Sequence, residues 1–168
     1  MDDLERRIAV ARGDQPADLI LRGGTCVLPW GEERTDLGVR DGRIAAIGLA
    51  ASDTAEEVVD CAGLHILPGV IDSQVHFREP GPTHKEDLET GSRAAVLGGV
   101  TTVFEMPNTD PPTGTVEALG IKQRAAAKAH VDYGLYGLLA EDNLDQLDGL
   151  VAGGVAAFKC FMGNTFGN

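Results

Sequence analysis

Cysteine is scarce in this 168-residue chain: Cys26, Cys61 and Cys160 are odd in number, scattered, and form no CxxC pair. A disulfide framework is therefore not expected, and a reducing cytoplasm is the expected location. Basic residues are also in short supply, 14 against 26 acidic ones, for a formal net charge of -12. Such a surface repels phosphate backbones and anionic lipid, which argues against nucleic acid or membrane as partners. By itself, the charge asks for nothing beyond solubility. Long apolar runs are missing too. The opening MDDLERRIAVARGDQPAD is charged on both sides and reads as neither a signal peptide nor a membrane span. No solenoid repeat or low-complexity segment occurs. Hydrophobic residues nevertheless make up 43% of the chain, enough for a core, so disorder is not expected.

Three stretches differ in texture. Residues 1–16 form an N-terminal extension, a short helix or a fraying end. Residues 17–64 read as short strands broken by turns: DLILRGGTCVLP, DLGVRDGRIAAIG and EEVVDCAG. Asp41-Gly42 between two alternating apolar runs is a hairpin signal, because glycine takes positive φ at little cost. A small β-sandwich segment is the expectation. From residue 65 strands alternate with helices. HILPGVIDSQVHF reads as a strand and THKEDLETGSRAAVLGG as a helix, with Thr83 and Glu86 at capping-box spacing and Gly98-Gly99 as its stop. VTTVFEM, YGLYGLL and VAAFKCFM are further strands. They are separated by TVEALGIKQRAAAKAH and by a helix showing Leu144, Leu147 and Val151 on one face.

Strands separated by helices imply parallel pairing through right-handed crossovers. Four strands are half of what a (β/α)8 barrel needs over its roughly 250 residues. GNTFGN offers no helix to cover the last strand. The expected fold class is thus α/β, residues 65–168 being the first half of a barrel; a small doubly wound sheet is the alternative.

Chemistry gathers at one end of these strands. In IDSQVHFREPG, period-2 alternation puts Asp72, Gln74 and His76 on one face and Ile71, Ser73, Val75 and Phe77 on the other. Polar groups sharing one face of an apolar strand are costly to bury without a use, and the C-terminal mouth of a barrel is where active sites form. Lys159 sits inside VAAFKCFM. A lysine there reaches solvent, or it loses its charge; a neutral amine can take up carbon dioxide, and the resulting carbamate can bridge two divalent metals. Arg78 shares the His76 face and can grip a carboxylate bidentately. Asn108 follows the second strand at the same end. Taken singly, each also reads blandly: a structural histidine, a surface arginine, a turn-forming asparagine.

Together, VIDSQVHFREPG, ETGSRAAVLGGVTTVFEMPNT and AAFKCFMGN resemble the dihydroorotases of the amidohydrolase superfamily, and the likeness runs from about Asp18 to the end. The resemblance implies a zinc-dependent cyclic amidohydrolase with one or two zinc ions per full-length chain, interconverting dihydroorotate and carbamoyl aspartate in pyrimidine biosynthesis. It gives His76 the place of the second histidine in the HxH metal motif. Arg78 and Asn108 become the substrate-carboxylate residues, and Lys159 the carboxylated, metal-bridging lysine. Gln74 stands where HxH has its first histidine, and an amide oxygen is a weaker zinc donor than imidazole. The catalytic aspartate is expected beyond Asn168, so this stretch is expected to be inactive alone. Two other readings stay open: an allantoinase- or hydantoinase-like enzyme on the same scaffold, against which Arg78 and Asn108 weigh because they suit a carboxylate-bearing ring, and a non-catalytic homologue partnering aspartate transcarbamoylase, which Gln74 favours. The expected partner is otherwise a small-molecule substrate, with homo-oligomerisation left open.

Overall fold

A computed structural model describes residues 2–50 and 52–163 of the chain. The chain divides into two compact units, Met1–Pro68 and Gly69–Asn168.

The first unit opens on helix α1 (Asp3–Ala11), whose N-terminus is closed reciprocally by Asp2 and Glu5. This capping box satisfies two of the amides that a helix end leaves without partners. Val10 of α1 is buried against Ala17 and Ile20, so the N-terminal residues are a packed helix rather than a frayed end. Seven strands follow: β1 (Ala17–Arg22), β2 (Thr25–Leu28), β3 (Gly31–Arg34), β4 (Leu37–Arg40), β5 (Arg43–Ile47), β6 (Ala55–Asp60) and β7 (His65–Ile66). They form a four-stranded sheet in the order β5-β4-β1-β6 and a three-stranded sheet in the order β3-β2-β7. Asp41 and Gly42 join β4 to β5 with φ of 52° and 68°. Two consecutive positive φ values are what a two-residue hairpin of matching twist requires.

The second unit is built of β8 (Val70–Val75), α2 (Leu88–Leu97), β9 (Val100–Glu105), α3 (Val116–Ala126), β10 (Asp132–Leu139), a 3-10 turn at Leu144–Gln146 leading into α4 (Leu147–Ala152), and β11 (Ala157–Cys160). All four strands run parallel, and their spatial order is their chain order. A doubly wound sheet reverses direction part-way across. No reversal occurs here, so the sheet is wound in one sense, as the opening strands of a barrel are. Leu119, Leu135 and Leu150 form its buried cluster, with Leu147, Val155 and Phe158 packed around them.

Three local expectations are corrected. HILPGVIDSQVHF is not one strand. Pro68 has no amide to donate, and the chain breaks there into β7, which pairs with β2, and β8, which pairs with β9. Helix α2 is capped by Asp87, which accepts from the Thr90 amide at 2.8 Å, while Thr83 lies in a preceding turn. An aspartate one residue before the helix is the better-placed acceptor, and Glu86 turns instead to the Thr90 hydroxyl. In the fourth helical segment Leu150, not Val151, takes the buried seat; Leu144 and Val151 are each 61% exposed. Neighbouring helical residues point about 100° apart, so a start in 3-10 geometry is enough to shift the face.

Candidate active site

Register decides which side chains share a face. Val75, Glu105 and Leu135 lie side by side across β8, β9 and β10, as do Gly137 and Phe158 across β10 and β11. Leu135 and Phe158 pack with Leu119 and Leu150 of the helices, so these positions face the helical layer. By the period of two, the opposite face carries Gln74 on β8, Phe104 on β9, Tyr136 and Leu138 on β10, and Lys159 on β11; the register of β8 shifts between Asp72 and Val75, so Asp72, expected on that face, pairs instead with Val103. Phe104 and Tyr136 meet edge to face there, with ring centroids 6.1 Å apart. Because the strands are parallel, all four C-terminal ends lie along one edge. His76 and Arg78 leave β8 at that edge, Asn108 follows β9, and Lys159 is next to last in β11.

His76 is where these residues converge. Its basicity is lowered first by burial and then by the Arg78 cation, with Lys122 and Lys159 adding smaller repulsions; the Asn108 side chain opposes them. At neutral pH the imidazole is therefore uncharged, with a nitrogen lone pair free to donate. Asn108 is buried, and its Oδ1 has no hydrogen-bond partner. Its approach to His76 is thus close without being a well-formed hydrogen bond. A buried acceptor left unsatisfied at a strand end is a seat for a donor from a ligand. Arg78 has φ of 64°, rare for a side chain of this size and a form of backbone strain found at functional sites. The Lys159 ammonium sits 5.6 Å from the Phe161 ring centroid. Gln74 is exposed, and its backbone amide donates to the Asp72 carboxylate at 3.0 Å.

The donors suit part of a zinc site. An imidazole at His76, held below its ordinary basicity, is the donor that fits. Among the described residues no group of three His, Cys, Asp or Glu stands close enough to hold a metal. A cavity of about 680 Å³ opens between Leu138–Glu141 and Cys160–Gly163 at the same strand ends. None of the four candidate residues lines it.

Two residues that sequence patterning passed over stand behind the site. Glu105 faces the helices at 1% exposure, and its Oε2 accepts from the Phe77 amide at 2.8 Å. Lys122 of α3 is fully buried, 3.7 Å from Glu105, and donates to the Met106 carbonyl at 2.5 Å. Burial pushes Lys122 down to about 8 against the partial restoring pull of Glu105, and pushes the Glu105 carboxyl up. A signal was present. Ala118, Lys122 and Ala126 fall four apart on one line of α3, and all three are buried. A lysine on that line needs an anion inside.

Loop 76–87 is fixed from a second side. Glu79 accepts from the Leu88 amide at 2.9 Å and pairs with Lys128 at 2.9 Å. Gly91 of α2 leaves room for the Phe77 ring, which a Cβ would meet at 2.5 Å. No helix among the described residues is long and apolar enough to cross a membrane.

Comparison with known proteins identifies the family. The allantoinase of Deinococcus radiodurans is 45% identical over 150 residues, covering 88% of this chain and 34% of that protein. That of Rubrobacter xylanophilus is 46% identical, with 88% and 33% covered. Among solved structures, the L-hydantoinase of Arthrobacter aurescens superposes with a TM-score of 0.82 at 33% identity, covering 89% of this chain and 34% of that one. The chain thus spans about a third of the length of these relatives. Residues 63–165 match the family model described as dihydro-orotase-like. With well over half its residues inside that match, and allantoinases and hydantoinases among its relatives, the chain belongs to the dihydro-orotase-like family of the amidohydrolase superfamily.

Proposed function

We propose that this segment supplies one side of the active site of a cyclic amide hydrolase acting on a ring ureide of the allantoin or hydantoin class. The observation that carries the reading is the convergence of His76, Arg78, Asn108 and Lys159 on one C-terminal sheet edge, with His76 held uncharged. The similarity to allantoinases and a hydantoinase favours a neutral ring over dihydroorotate. His76 donates a ring nitrogen to a divalent metal. At Lys159 the ammonium would first give up a proton; the amine would then attack carbon dioxide, an N–C bond forming as one C=O π bond opens, a second proton would leave, and the carbamate would offer two oxygens to the same site. Bound there, a metal supplies Lewis-acid polarisation of the ring carbonyl and activation of water. Asn108 offers its orphaned Oδ1 to a ring N–H, and Arg78 offers donors to a ring carbonyl. Gln74 would add an amide oxygen, a weaker metal donor than imidazole.

A second reading is dihydroorotate. It is favoured by Arg78, whose fork of donors matches a carboxylate, and by the description of the matching family. A chimera decides between them: residues 63–165 replace the matching stretch of the Deinococcus allantoinase, loaded with zinc in bicarbonate. Opening of allantoin or hydantoin is the expected result, with Arg78→Met lowering turnover modestly. Opening of dihydroorotate instead, with a loss on Arg78→Met of about 2–5 kcal/mol in transition-state binding, establishes the second reading. A folded chimera that binds zinc and opens no ring removes both, leaving the non-catalytic partner role that Gln74 favours.

A further inference from the structure

Glu105 and Lys122 take no part in the chemistry above, yet both are withdrawn from water, at 1% and 0% exposure. A buried ion pair is an expensive way to fill space, since apolar side chains of the same volume are often as stable or more so. What this pair does that apolar residues cannot is hold backbone on two sides. Through Glu105 it takes the amide of Phe77, the residue after His76. Through Lys122 it takes the carbonyl of Met106 and, at 3.5 Å, the hydroxyl of Thr109, the two residues that bracket Pro107 and Asn108. The Lys122 ammonium and Glu105 carboxylate, 3.7 Å apart, join these arms. Thr109 is tied onward to the Pro111 carbonyl at 3.0 Å. The exits of β8 and β9 are therefore fastened to one another through a point inside α3.

We propose that Glu105 and Lys122 are positioning residues that set His76 against Asn108, fixing the gap between the metal side of the site and its substrate side. The inference rests on the reading that His76 and Asn108 belong to one site, but it concerns geometry and is tested without metal or substrate. Proton NMR on the whole chain reads the nuclear Overhauser effect between the His76 ring and the Asn108 side-chain amide, and exchange of the Phe77 amide with solvent. Two variants are compared: E105Q/K122M, which buries no unpaired charge, and Glu105→Ala. Both are expected to lose at least half of the His76–Asn108 signal while keeping the thermal transition and most other cross-peaks. Glu105→Ala should also speed Phe77 exchange tenfold or more, whereas E105Q/K122M, retaining an acceptor at position 105, should not. A wild-type signal in either folded variant overturns the proposal. So does collapse of the whole spectrum in both, because the pair would then be holding the fold rather than the site. A chimera that hydrolyses no ring leaves this result untouched.

Discussion

Lys122 lends itself to a quantitative test because its burial, its partners and its basicity all bear on one equilibrium. Lys122→Met removes the amine and keeps a stem of similar reach. At pH 7 two effects oppose each other. The variant loses the donor to Met106 and the partner of Glu105, and it is relieved of desolvating an ammonium. The depressed basicity, about 8 against an ordinary 10.5, says that desolvation outweighs the pull of Glu105; Lys122→Met nonetheless leaves Glu105 buried without its cation, so the variant should already be the less stable at pH 7, by about 3–5 kcal/mol. The pH dependence is not small. Between pH 8 and 10.5 the folded chain has shed the Lys122 proton while the unfolded chain still carries it. The unfolded state then binds more protons, so stability rises with pH across that window. At about 1.4 kcal/mol per pH unit the gain is roughly 3 kcal/mol, flat below pH 8 and complete above 10.5. Urea unfolding of wild type and Lys122→Met at pH 7, 9 and 10.5 reads it, since groups other than Glu105 titrate alike in both chains. The wild type should pull further ahead of the variant as pH rises. A gap between the two curves that is constant, or that closes with pH, would refute the buried-ammonium argument.

Other outcomes follow from single contacts. Asn143 is buried and makes three bonds of 2.9 Å, donating to Gly114 and Leu138 and accepting from Ala140; Asn143→Ala should cost about 2–4 kcal/mol in a urea melt, because buried backbone groups are left unpaired. Gly91→Ala drives a methyl into the Phe77 ring, with an expected cost of about 1–3 kcal/mol and a shift of the His76 resonances; unchanged His76 resonances would contradict the coupling of α2 to loop 76–87. Of the three thiols, Cys160 is exposed whereas Cys26 and Cys61 are buried, so a thiol reagent should modify one cysteine quickly and two only on unfolding.

The elements that were legible in the sequence are those whose cause is local. Asp41-Gly42 announces its hairpin because two residues decide the backbone there. The expected sharing of one face by Asp72, Gln74 and His76 rests on an unbroken period of two, and the structure breaks it: the register of β8 shifts between Asp72 and Val75, so Asp72 pairs with Val103, on the same face of β9 as Glu105. What stayed hidden depends on comparison between near neighbours or on distant partners. Asp87 outcompetes Thr83 as a cap, and Leu150 outcompetes Val151 for the core, by margins that pattern alone does not resolve. Glu105 and Lys122 lie 17 positions apart, on different elements; the Ala118–Ala126 line hints that Lys122 is buried, but nothing pairs it with Glu105 until β9 and α3 are brought together. The choice of ring is not local either: read in the sequence, Arg78 and Asn108 favour a carboxylate-bearing ring, whereas the relatives are allantoinases and a hydantoinase.

The backbone at Arg78 carries a consequence for how such a site changes over generations. With φ at 64°, position 78 discriminates among replacements before any ligand is considered. Glycine, asparagine and aspartate tolerate that conformation, whereas valine or isoleucine would be strongly disfavoured there. Sequence drift at this position is thus channelled toward small polar or missing side chains. An exchange of arginine for asparagine would relieve strain in the loop while trading a cation for a neutral amide. A library randomised at position 78 and selected only for folding should return those residues in excess, and with them an inclination toward uncharged rings that no selection for substrate had imposed.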